Sequence, residues 1–212
     1  MRPLQLISLL LVFSLGCFPS HRRHKSRSVE TGAFDFYILV LAWAPEFCYS
    51  HPDASECSTH SGFVVHGLWP QNSDGSYPSN CATNHPPPSD FSSLADIMPQ
   101  EIIRHEWQTH GTCSGLSGDA YFALIRRAFE SVTIPADLKA PSSSSTMHPR
   151  ELKQDFEKVN ASLNDSEIAV QLRGRYLNAV EICLSKTEAL KPAACSNVRD
   201  ASGGSFIVPP VR

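Results

Sequence analysis

Apolar residues recur along this chain with two different periods. Residues 34–41, Phe34-Asp35-Phe36-Tyr37-Ile38-Leu39-Val40-Leu41, form a run rich in aromatic and branched side chains and predict a buried strand. A shorter run over 63–68 predicts a second strand, with Val64, His66 and Leu68 on one face and Phe63 and Val65 on the other. Residues 70–90 are dense in Pro, Ser, Asn and Gly and read as a loop long enough to be functional. The period then becomes helical. A helix over 101–110 is stopped by Gly111, and an amphipathic helix over 120–132 shows the stripe Tyr121, Phe122, Leu124, Ile125 and Phe129. Residues 141–145 are a low-complexity turn and 150–159 a further helix candidate. Residues 168–172 and 176–184 read as paired strands around Arg173-Gly174-Arg175. Strands and helices mix without regular βαβ alternation. The predicted class is therefore α+β, with a mainly antiparallel central sheet flanked by helices, in one domain over 33–212.

A length of 212 residues suits one domain with a sizeable core. The net charge of −3 argues against a protein held to nucleic acid by a broad basic surface. A local cationic cleft is still compatible with this charge, and nine histidines supply charge as pH falls. At the N-terminus Arg2 precedes an apolar run over 4–15, then small residues and Ser20-His21-Arg22. This predicts an export signal over 1–19 and a polar linker over 20–32. The run is short for a membrane span, and the cluster His21 to Arg27 sets more positive charge after it than before it, against the usual tendency.

Seven cysteines are present, and Cys17 falls at the end of the signal. The other six, Cys48, Cys57, Cys81, Cys113, Cys183 and Cys195, suit a disulfide framework, for which about fifteen pairings exist. No two have the C-x₂-C spacing of a zinc site. Cys17 is either removed with the signal or, on the alternative reading, carries a lipid, the one route to stable membrane association. Asn160-Ala161-Ser162 and Asn164-Asp165-Ser166 are glycosylation sequons, meaningful only in a eukaryotic secretory pathway.

Two short words carry the chemistry: Phe63-Val64-Val65-His66-Gly67-Leu68-Trp69-Pro70 and His105-Glu106-Trp107-Gln108-Thr109-His110-Gly111-Thr112-Cys113. Glu106 and His110 are four apart and face one side of a helix, where they can share a phosphate or exchange protons. His105 projects from the neighbouring flank. The zinc word H-E-x-x-H is absent, because Thr109 stands where its second histidine belongs. His66 interrupts an apolar strand. Gly67 lets another group approach the backbone closely, and Trp69-Pro70 offers a rigid ring on which a base can stack. This set can move protons, hold a phosphate and stack a base with no cofactor and no metal, and none is expected.

The two words resemble the active-site segments of the ribonuclease T2 family, acid-type endoribonucleases that cut single-stranded RNA through a 2′,3′-cyclic phosphate. The likeness extends over roughly residues 34–200, through Phe34-Asp35-Phe36-Tyr37, Trp43, Glu181-Ile182-Cys183-Leu184 and Lys191-Pro192-Ala193-Ala194-Cys195. It implies a metal-independent endoribonuclease of low base specificity whose partner is single-stranded RNA and not DNA, and the export signal and cysteines lead us to expect a secreted or periplasmic monomer. It implies His110 as general base and His66 as general acid, a pair whose roles can be exchanged, with Glu106 positioning or polarising. By the same resemblance His105 and Thr109 bind phosphate, and Trp69, Gln71 and Tyr77 hold a base. Cys81 would pair with Cys113 and Cys183 with Cys195, leaving Cys48 with Cys57.

Two departures stand out. Thr109 occupies the position of a family lysine, which bears on rate more than on reaction type. Gln71 stands where many relatives carry aspartate or asparagine, so their base preference does not transfer. Two other readings use the same residues. One is a metal-dependent hydrolase with His66, His105, Glu106 and His110 as ligands. The other is a catalytically weak RNA-binding relative, which only Thr109 encourages.

Overall fold

The computed structural model describes residues 31–211 except 55, 60 and 89. The export signal over 1–19, Cys17 and the linker up to residue 30 lie outside the described residues.

Strand β1 (Phe36–Trp43) is central because both of its faces are apolar. It pairs antiparallel with β2 (Phe63–Gln71) on one side and with β5 (Tyr176–Ser185) on the other. The sheet is completed by β3 (Ser145–Met147), β4 (Ile168–Arg173) and β6 (Phe206–Val208), in the order β2-β1-β5-β6-β3 with β4 also on β5. All ladders are antiparallel except β5 with β6, which is parallel at Tyr176 and Ile207. The class is α+β, and the sheet is mixed.

Helices α1 (Ala44–Ser50) and α2 (Glu56–Thr59) follow β1 and were not legible in the hydrophobic pattern. Helix α1 begins where Pro45 fits the first turn, and the Cys48–Cys57 disulfide ties the two helices together. Helices α3 (Gln100–Thr109), α4 (Gly118–Glu130) and α5 (Pro149–Val159) supply Ile103, Trp107, Tyr121, Ile125, Leu152 and Phe156 to the main core, where they meet Tyr37, Leu39, Leu41 and Trp43 of β1. The opposite face of the sheet carries only a small cluster around Phe36, Ile38, Val40, Ala179 and Cys183. That sparse side leaves room for a site.

Strand β2 departs from the predicted alternation. Val40 of β1 pairs with Gly67 and Leu41 with Val65, so His66 is an extra residue with no opposite number. This β-bulge shifts the alternation by one position. Leu68 therefore joins Val65 in the main core, while Trp69 packs against the cluster on the sparse face. The expected sharing of one face by Val64, His66 and Leu68 is corrected on this point. The strand also runs past Leu68 to Gln71, through Pro70, where the composition predicts loop. Because β2 is the edge strand, Pro70 need supply no donor to an outer neighbour.

The remaining disulfides are Cys81–Cys113, joining the loop after β2 to the end of the α3 segment, and Cys183–Cys195. Asn160 does not have the surroundings of a glycosylation site. It is buried, donates to the carbonyls of Thr133 and Phe156 at 2.8 and 2.9 Å, and accepts from Thr133 N–H at 2.7 Å.

Candidate active site

The site is built where α3 lies against edge strand β2. Trp107 and Ile103 anchor α3 in the core, which turns Glu106 and His110 towards the strand. The helix ends at His110 because the chain tightens into a 3₁₀ turn over Gly111–Cys113. Gly111 is required by packing, since a Cβ there would lie 2.4 Å from the Trp107 ring. On the strand side, a Cβ on Gly67 would lie 2.1 Å from Glu106 Oε2 and 2.5 Å from Trp69 Nε1. Only glycine allows the carboxyl group to rest on the strand backbone.

Glu106 is fully buried and organises the centre. Its Oε2 accepts a hydrogen bond from Trp69 Nε1–H at 2.8 Å, and its Oε1 faces His66 Nε2 at 3.3 Å. When His66 is protonated the two form an ion pair. Trp69 stacks on His110, with ring centroids 4.9 Å apart and planes at 21°. The edge of the same tryptophan meets His66, at 5.6 Å and 88°. One tryptophan thus fixes two histidines and the carboxylate between them. The bulge makes this possible, because without it His66 and Trp69 would point to opposite sides of β2.

The two imidazoles are in different surroundings. The side chain of His66 is 40% exposed. His110 is buried, and its Nδ1 has no hydrogen-bond partner among the described residues. Burial pushes its pKa down to about 4, against a pull upward from Glu106, with smaller downward effects from His105 and His66. His110 is therefore neutral over most of the accessible pH range. His105 lies one turn before Thr109, with Nε2 3.5 Å from its hydroxyl.

All eight residues singled out for catalysis, phosphate and base binding, His66, Trp69, Gln71, Tyr77, His105, Glu106, Thr109 and His110, line one cleft of about 740 Å³. Their environments separate them further. Tyr77 is 62% exposed, as an open stacking surface requires. Gln71 is buried, and its side-chain N–H donates to the Ser76 carbonyl at 3.1 Å, so part of its hydrogen-bonding capacity holds the loop that carries Tyr77. Among the described residues, no three His, Cys, Asp or Glu side chains are placed to hold one metal ion.

The cleft also contains residues that were not singled out as site residues. Asn80 lines it in a left-handed conformation, φ 51°, with its N–H on the Thr109 carbonyl at 2.9 Å. Glu181 of β5 lines it too, buried and accepting from Gln171 Nε2 at 2.9 Å. Burial pushes the Glu181 carboxyl up to about 7, and Asp200 adds to the rise while the Gln171 hydrogen bond opposes it. A carboxylate between Val180 and Ile182 in an apolar strand was the available signal. From His66, Trp69 and Glu181 the cleft continues as a trough of about 290 Å³ past Ala42 and Ala179 to Arg173 and Glu46.

Comparison with known proteins points to one family. The sequence profile described as "Ribonuclease T2 family" matches residues 34–195. The chain is 34% identical over 172 residues to "Ribonuclease" of Aeromonas hydrophila, covering 79% of each. It is 30% identical over 184 residues to "Ribonuclease DdI" of Dictyostelium discoideum, covering 75% of this chain and 77% of that one. Among solved structures it is similar to ribonuclease MC1 from bitter gourd seeds. The TM-score is 0.64 at 25% identity, over 82% of this chain and 99% of that one.

Proposed function

Because the chain belongs to the ribonuclease T2 family it is an endoribonuclease, and we propose that it cuts single-stranded RNA without a metal ion, by attack of the 2′-hydroxyl on the adjacent phosphate. The carrying observation is the unequal pair of histidines on one tryptophan, one buried and neutral, the other partly exposed and facing a buried carboxylate.

RNA brings its own nucleophile, so proximity is a property of the substrate. Neutral His110 accepts the 2′-hydroxyl proton while the 2′-oxygen bonds to phosphorus. Protonated His66, beside Glu106, gives its proton to the departing 5′-oxygen as that P–O bond breaks. His105 and the Thr109 hydroxyl meet the charge on the phosphoryl oxygens. The products are a 2′,3′-cyclic phosphate and a free 5′-hydroxyl. Water then opens the ring with the two histidines exchanging roles. Trp69 serves chiefly to hold the three catalytic groups, and Tyr77, exposed at the cleft, offers a ring to stack a base. Three disulfides suit an oxidising compartment, which supports export under the signal read over residues 1–19.

The test is incubation of the disulfide-intact protein with RNA and matched DNA, with and without chelator. Cyclic-phosphate ends should appear first, DNA should survive, and chelator should change nothing. Cleavage of DNA would eliminate the 2′-hydroxyl mechanism, and chelator inhibition would restore the metal reading. Replacing either His66 or His110 by alanine should remove nearly all cleavage in a folded protein.

A further inference from the structure

Helix α1 and the start of β5 meet at the far end of the trough, and the reaction above uses nothing that they place there. Tyr49 of α1 and Tyr176 of β5 have ring centroids 6.3 Å apart and planes 28° apart, near the wide limit for paired rings. Tyr49 is 71% exposed, so aromatic surface faces solvent. The rings border a cavity of about 420 Å³ that Ser144, Ser145 and Thr146 also line. Glu46 lines both this cavity and the trough, so the two adjoin at that residue. Between them the Arg173 side chain is 56% exposed, with Nη1 3.5 Å from Glu46 Oε2. A guanidinium has five N–H donors, so one such contact leaves most of them for a phosphate.

We propose that this end of the trough is a further nucleotide subsite, in which Tyr49 and Tyr176 stack a base of the RNA strand 3′ of the scissile phosphate and Arg173 pairs with a neighbouring phosphate. The assignment rests on the mechanism proposed above, which makes His66 the proton donor to the leaving 5′-oxygen. His66 lines both the cleft and the trough, whereas His110 lines the cleft alone, so the strand beyond the leaving oxygen runs along the trough. Along β5 the distance from Glu181 to Tyr176 is five residues, about 17 Å at strand rise. The subsite therefore lies beyond the nucleotide attached directly to the scissile phosphate. Glu46 and Glu181 flank the route, and the chain is acidic overall, so stacking has to carry more of the binding than charge.

The experiment uses oligonucleotides with one ribose in an otherwise 2′-O-methylated strand, extended on either side of it, together with fully 2′-O-methylated versions that cannot be cut. Two or three added nucleotides on the 3′ side should lower KM, and lower the Kd of the uncut strand, by about fivefold or more, with kcat unchanged. Tyr49→Ala should remove most of that gain and Tyr49→Phe should keep it. Arg173→Gln should weaken binding and flatten its salt dependence. A Tyr49-dependent gain in binding without any cleavage would uphold the subsite while overturning the catalytic reading. An equal gain from 5′ extension, a gain that survives Tyr49→Ala, or no dependence on length would overturn the subsite.

Discussion

Acidifying the assay from about pH 7 to about pH 5 should cost this enzyme little on its base side, and the reason is the burial of His110. An ordinary histidine titrates near 6.5, so only about 3% of it would be neutral at pH 5. With its pKa pushed down to about 4 by burial, His110 is about 90% neutral there. The difference is about thirtyfold in the fraction of enzyme ready to accept the 2′-hydroxyl proton. The assay is kcat/KM on a single-ribose oligonucleotide across the pH range, because this parameter reports the free enzyme. The acid limb should be half-maximal near pH 4. Glu106 is the neighbour that raises the His110 pKa, so Glu106→Gln should move the acid limb lower still while kcat falls, since His66 loses its partner. An acid limb near 6.5 in the wild-type enzyme, or retained activity in His110→Ala, would refute the reasoning.

Gly67→Ala should lower kcat by about 100-fold or more in a folded protein, because its Cβ would collide with Glu106 and Trp69 and displace them by an ångström or so; wild-type kinetics with a native circular-dichroism spectrum would contradict this. Thr109→Lys should raise kcat about tenfold with KM little changed, by adding a cation beside His105 at the phosphate; an unchanged rate would show that this charge comes from elsewhere. His110 and Glu181 should oppose each other in the dependence of stability on pH, read by denaturant melts. The lowered His110 pKa makes the unfolded chain bind more protons between about 4 and 6.5, so its contribution grows as pH rises there, by about 3 kcal/mol. The raised Glu181 pKa makes the folded chain bind more between about 4.5 and 7, so its contribution is lost as pH rises, by a similar amount. Wild-type stability should be nearly flat over the shared range, and Glu181→Gln should uncover a rise; a flat profile in that variant would count against the burial of His110.

Much of the architecture follows from local pattern. The run that became β1, the helical stripe of α4 and the paired strands β4 and β5 could all be read because each buries a face with its own period. The elements that escaped have no period of their own. Strands β3 and β6 are three residues each and exist only because they find one another across some sixty residues of chain. Helices α1 and α2 are too short to show a stripe, and the Cys48–Cys57 bridge holds them.

The kinds of residue along the chain pointed to the chemistry. Two words, with their histidines, carboxylate and tryptophan, offered the candidate catalytic groups, because residue types and spacing set what can move a proton, and their resemblance to known segments gave the family. How those groups differ emerges with the fold. The extra residue at His66 changes side-chain direction along β2, and no alternation rule applied to the strand alone reveals it, since a bulge is defined by the partner strand. Likewise His105, His66 and His110 are the same side chain in the sequence. Burial lowers the pKa of His110 while His66 stays near solvent against Glu106, and burial belongs to the whole chain once it has folded around the residue.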